Sequence, residues 1–172
     1  MILAIATVRT DSVHASARNR RPTMPAVEKS IDVKCDPKHF YGIITDFERY
    51  HEFVPSLQKA TVLEKKGEVY RVEQRIELMK KSIAFVLRLE GKPGKSLSWT
   101  LEKGDLLKAN DGAWTIEKKG KDGLTATYKL DLEVGMLVPK ALVNTLASAD
   151  LPRMLEAFKA RAEAPAAGKK KG

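Results

Sequence analysis

A single cysteine, Cys35, in 172 residues excludes an intramolecular disulfide and any zinc site built on several cysteines. Such usage suits a reducing compartment, and Cys35 reads as a buried or half-buried thiol. Histidine is nearly as scarce: His14, His39 and His51 form no recognisable ligand set. A glycine-rich phosphate loop and a nucleophile elbow are also missing, which removes the common signatures of nucleotide chemistry and serine hydrolysis. No run of 18 apolar residues exists to make a membrane-spanning helix.

Acidic residues are short as well, 22 against 31 Lys and Arg, for a net charge of +9. The surplus sits mostly at the ends. Before Met24, Arg9, Arg18, Arg20 and Arg21 face only Asp11, and after Glu163 come Lys169, Lys170 and Lys171. Each end holds +3 and leaves +3 for residues 24–163. The central region is therefore only mildly basic, and the ends suit any polyanion, anionic lipid or ribosomal RNA alike. DNA is not indicated.

What is present fits one domain, and a chain near this size buries roughly 70% of its unfolded surface. Residues 1–23 read as an extension outside it. MILAIATVRTDS is too short in its apolar part for a signal peptide and has no cation ahead of it. The Arg- and Ser-containing segment to Thr23 reads as a weak organellar presequence or as sequence upstream of a start at Met24. Residues 164–172, all Ala, Pro, Gly and Lys, are expected to be a disordered basic tail.

Between these ends the pattern is regular. Ala26 to Lys34 reads as a strand. Asp36-Pro37 is a helix start, with Asp as N-cap and Pro in the first turn, and Phe40, Ile43, Ile44 and Phe47 follow at helical spacing. A second short helix is expected over Glu48 to Phe53. Six alternating segments come next, near Ala60–Lys65, Val69–Met79, Ser82–Glu90, Leu97–Glu102, Ala109–Lys118 and Leu124–Val134, the pattern of an antiparallel meander. Their dry faces hold Tyr70, Val72, Ile76 and Leu78, then Ile83, Phe85, Leu87 and Leu89, then Leu97, Trp99 and Leu101, then Trp114 and Ile116, and finally Ala126, Tyr128, Leu130 and Leu132.

The last apolar-periodic stretch predicts one long amphipathic helix carrying Leu142, Leu146, Ala149, Leu155, Phe158 and Ala162. Pro139 fits its first turn, whereas Pro152 is expected to kink it. The sum is an α+β fold: a curved antiparallel sheet of about seven strands wrapped around a long C-terminal helix, with two short helices after strand one.

This order of elements, with DFERYHEFVP (Asp46 to Pro55), VPKALVNTL and DLPRMLEAF, resembles the START-like, or helix-grip, superfamily (Bet v 1-like, SRPBCC) over residues 24–163. Within it the likeness is to the polyketide cyclase/dehydrase and lipid-transport group, and there to the coenzyme Q-binding START proteins and the bacterial ribosome-association toxins. The resemblance implies a hydrophobic cavity between sheet and helix that holds a lipophilic small molecule, ubiquinone or a related isoprenoid lipid. It also implies a cytoplasmic protein working beside the inner face of a membrane. A void of ~300 Å³ left empty would forfeit roughly 7 kcal/mol, so a pocket of that size calls for an occupant.

Under that reading Phe47, Tyr50 and Phe53, with Met136 and Leu137 of the apolar loop GMLVP, form the entrance. Phe85, Trp99, Trp114, Leu142 and Leu146 form the lining. Tyr70, Gln74 and Tyr128, with the two tryptophans, have hydrogen-bond donors that can orient a head group. No cofactor or metal is expected. Acid/base candidates Asp46, Glu48, His51 and Glu52 alternate with aromatics in a register that marks a solvated helix face, so catalysis of the aromatase/cyclase kind is the lesser reading. Ribosome association is the non-enzymatic alternative, and phosphate contacts would make it salt-sensitive.

Overall fold

The computed structural model describes residues 26–165; the expected N-terminal extension, and the basic tail from residue 166 onward, lie outside them. β1 (Val27–Val33) is followed by α1 (Pro37–Ile44), a 3₁₀ helix (Phe47–Glu52), and strands β2 (Leu57–Lys66), β3 (Val69–Leu78), β4 (Lys81–Lys92), β5 (Ser96–Gly104), β6 (Leu107–Lys119) and β7 (Gly123–Val134). The seven strands form one antiparallel sheet in the order β1-β7-β6-β5-β4-β3-β2. Register shifts in the β2–β3, β4–β5 and β6–β7 pairs each bend a strand and deepen the sheet's twist.

Several strands run longer than their alternation suggested, because backbone pairing continues beyond the alternating side chains: β2 starts at Leu57 and β4 reaches Lys92. The expected dry face is the concave one. Tyr70, Val72, Phe85, Leu87, Leu97, Trp99, Trp114, Tyr128 and Leu130 are all buried.

Local chemistry explains the entry of the chain into α1. The Asp36 carboxylate accepts from the Lys38 N–H at 2.8 Å and Pro37 holds the first helical position, so the helix begins with one free donor satisfied and one removed. Phe40, Tyr41 and Ile44 then face inward. Tyr41 reaches across the sheet, donating to Glu68 Oε2 at 2.5 Å over Gly91, where a Cβ would stand 1.9 Å from the Tyr41 oxygen. Glycine is thus required at that crossing.

The C-terminal helix departs from a single regular rod. Pro139 is its N-cap rather than part of its first turn, α2 spans Lys140–Thr145, residues Leu146–Asp150 are π-helical, and α3 spans Leu151–Glu163. The Leu151 N–H donates to the Leu146 carbonyl, five residues back. Pro152 has no N–H to give and its ring crowds the carbonyl one turn earlier; the widened turn accommodates both where a kink was expected. Leu142, Leu151, Leu155, Phe158 and Ala162 are buried against the sheet. No helix among the described residues is long and apolar enough to cross a membrane.

Candidate functional site

Between the concave face and the helix lies a cavity of about 170 Å³. β3 contributes Gln74, Ile76 and Leu78, β4 contributes Ile83, Phe85, Leu87 and Leu89, and β5 contributes Leu97 and Trp99. Asn110 and Trp114 of β6 and Tyr128, Leu130 and Leu132 of β7 complete the sheet side. Leu142, Leu146, Asp150, Met154 and Phe158, spaced four residues apart along the helix, close the other side.

An aromatic group forms the middle of the wall. Tyr128 lies 5.3 Å from Trp99 and 4.9 Å from Trp114, centroid to centroid, and Trp114 meets Phe158 edge-on at 5.5 Å. Trp99 is held from two sides. Its indole N–H donates to Asn110 Oδ1 at 3.2 Å, and its ring rests on Gly112, the residue opposite it on β6.

The polar groups divide into committed and free. Tyr50 lines the cavity, but its hydroxyl donates to the Ile44 carbonyl. The Tyr128 hydroxyl and the Trp114 N–H have no hydrogen-bond partner among the described residues. Burial holds the Tyr128 phenol well above its ordinary range, as it does for Tyr50, so both remain neutral donors at physiological pH.

Of the residues expected from sequence, Phe47, Tyr50, Gln74, Phe85, Trp99, Trp114, Tyr128, Leu142 and Leu146 meet on this wall. Phe53 and Tyr70 do not. Phe53 packs between Tyr50 and Phe158 with the Arg161 guanidinium over it at 5.4 Å. Tyr70 stacks on Phe47 behind the wall and donates to Glu68 at 3.1 Å. Met136 and Leu137 stand off it too, 85% and 90% exposed.

The acid/base candidates lie apart from the cavity. Asp46, Glu48, His51 and Glu52 are exposed, and Glu52 is held by Arg49 at 3.0 Å and by Arg161 of α3 at 2.8 Å. These two arginines keep its carboxyl below the usual range, Arg49 the more strongly. The 3₁₀ helix is fastened to α3 by this pairing. Cys35 is half-buried, and burial pushes its thiol up, away from a reactive thiolate. No cluster suited to a metal ion occurs among the described residues.

Sequence reasoning missed Ser56, Asn110 and Asp150. The signals were there: Asn110 alternates in phase with Trp114 and Ile116, and Asp150 stands four residues from both Leu146 and Met154. Polarity hid them.

Comparison with known proteins agrees with this geometry. The profile described as polyketide cyclase / dehydrase and lipid transport matches residues 33–159. The ribosome association toxin RatA of Pseudomonas aeruginosa is 25% identical over 137 residues, 80% of this chain and 94% of its own length. A START superfamily protein from Mycobacterium smegmatis superposes with a TM-score of 0.71 at 22% identity, over 80% of this chain and 97% of that one. The Zhui aromatase/cyclase from Streptomyces sp. R1128 does so with a TM-score of 0.67 at 16% identity, over 81% and 96%. With a helix gripped by a seven-stranded antiparallel sheet and a cavity between them, the chain has the helix-grip fold and belongs to the polyketide cyclase/dehydrase and lipid transport family.

Proposed function

We propose that the protein binds an isoprenoid quinone or a closely related lipid in this cavity and carries or shields it beside a membrane, without making covalent bonds. The observation that carries the reading is the wall itself: apolar side chains on every strand from β3 to β7, with unpartnered donors on Tyr128 and Trp114 at its aromatic centre. An apolar space near 150 Å³ admits a benzene-sized ring. At 170 Å³ the cavity suits a quinone ring with little to spare, flanked by Trp99, Trp114 and Tyr128. Affinity comes from the apolar surface, about 0.8 kcal/mol for each buried methylene, and the donors select the ring oxygens.

One end of the sheet supports the membrane part of the proposal. The β3–β4 turn, the β5–β6 turn and the loop before α2 all lie there. They present Met79, Met136 and Leu137, each exposed, among the exposed lysines Lys80, Lys81, Lys103, Lys108 and Lys140. Apolar tips ringed by cations suit the headgroup layer of an anionic bilayer, at ~1 kcal/mol per cation near the surface. A lipid tail leaving the cavity at this end would pass directly into the bilayer.

The test is a titration of the full chain with a short-chain ubiquinone, following quenching of Trp99 and Trp114. Saturable one-to-one quenching that Trp99→Arg abolishes and Lys170→Ala leaves intact supports the reading. Equal binding by both variants contradicts it.

A second reading rests on the likeness to RatA, under which the protein would contact the ribosome. Cosedimentation with ribosomal subunits that falls steeply with salt, and that survives removal of residues 1–23 and 164–172, would favour it. Aromatase/cyclase chemistry would use the same cavity, and turnover of a polyketide substrate would favour that.

A further inference from the structure

We infer that the cavity is built for a ligand that donates a hydrogen bond to Asp150: a phenol, hydroquinone or alcohol in preference to a molecule that only accepts. This rests on the proposed binding role and narrows it: of the two redox forms of an isoprenoid quinone, the reduced one carries the hydroxyls and is the form that Asp150 would hold more tightly. Asp150 Oδ2 is fully covered by the protein and has no hydrogen-bond partner. Its twin Oδ1 accepts from the Ser56 hydroxyl at 3.0 Å, so the carboxyl is fixed in orientation while half of its capacity stays unused. Both residues line the cavity.

Buried polar atoms in folded proteins are nearly always paired, and an exception calls for a reason. Here the position supplies one. Asp150 closes the π-helical segment, a deviation that recurs at functional sites, and it follows Leu142 and Leu146 along the face turned to the cavity. A carboxylate oxygen has lone pairs and nothing to donate. A ligand hydroxyl would complete it, whereas a quinone carbonyl or an ether oxygen would set lone pair against lone pair. Sites that demand such a bond reject the analogue lacking it far more strongly than apolar pockets reject a change of size.

The location orients the ligand as well. The Ser56 carbonyl accepts the Glu77 N–H at 2.8 Å, which puts the Ser56–Asp150 pair at the sheet end that bears Met79. The ligand's hydroxyl would sit toward that rim and its apolar body would point inward, to Trp99 and Trp114.

The experiment is calorimetric titration of the full chain with naphthol and with its methyl ether, two ring systems matched in shape, only one of which donates. The same titrations are run on Asp150→Leu, and thermal melting confirms that this variant folds. The expected result is binding of naphthol about tenfold tighter than of the ether, the yield of one additional hydrogen bond to a charged group, with the difference gone in Asp150→Leu and ether binding retained. Equal affinities in the parent protein, or a preference that survives in Asp150→Leu, overturn the inference while leaving the cavity reading in place. Binding of neither probe overturns both.

Discussion

Trp99 lies so close on Gly112 that a methyl group there would stand 2.4 Å from the indole Cζ2 and 2.3 Å from the Lys129 carbonyl oxygen. The cavity wall at its aromatic centre is therefore set by a residue with no side chain. Gly112→Ala must move either the indole or the β6–β7 ladder, at about 1–3 kcal/mol for an overpacked site. The expected outcome is a lower melting temperature and a shifted tryptophan emission maximum. An unchanged spectrum would show that the indole is not held there.

Tyr128 separates stability from binding. Its hydroxyl makes no hydrogen bond among the described residues, so Tyr128→Phe should leave thermal stability at neutral pH unchanged or raise it, and weaken quinone affinity roughly three- to tenfold. The same hydroxyl gives a pH signature. Burial raises its folded-state pKa above the ordinary value near 10. Its contribution is then complete below pH ~10 and is lost as pH rises beyond it, because the unfolded chain ionises first, at up to about 1.4 kcal/mol per pH unit. Denaturant titrations from pH 9 to 11 should show a shallower decline in Tyr128→Phe than in the parent.

Leu142 tests whether the space is real. Left empty, 170 Å³ costs about 4 kcal/mol, a large part of a domain's usual 5–15 kcal/mol. Leu142→Trp projects an indole into that space and should melt no more than a few degrees below the parent while losing quinone binding at least tenfold. A severely destabilised variant would mean that the space is smaller than the structure shows.

Pro152 tests the origin of the widened turn. With Pro152→Ala a backbone donor returns and the obstruction to a regular helix is gone, so the segment Leu146–Asp150 is free to take α geometry. The expected effect is a stability gain of about 1 kcal/mol or more, seen in denaturant unfolding. A loss would show that packing against the sheet, rather than the proline, dictates the π-helical form.

Much of this was legible in the chain. Period-two alternation from Tyr70 to Leu132 placed the concave face because sheet burial is one-sided, and Asp36-Pro37 placed α1 because capping is local chemistry. The π-helical turn was not legible, since a proline within a helical pattern signals trouble without saying how the backbone resolves it. Phe53 and Tyr70 read as cavity residues because sequence gives the buried face but not depth within it. Phe53 lies on the outer side of Phe158, and Tyr70 faces Glu68 at the sheet's far end. Asp150 escaped for the opposite reason: a lone carboxylate in an amphipathic helix reads as solvent-facing until the fold turns it inward.

The most direct test of the binding account is extraction and mass spectrometry of whatever copurifies with the full chain from a host that makes ubiquinone, with Leu142→Trp prepared in parallel. The account predicts an isoprenoid quinone or kindred lipid near one per chain in the parent protein and little or none in the variant. A parent protein that carries no lipid, or a variant that carries as much, would contradict it.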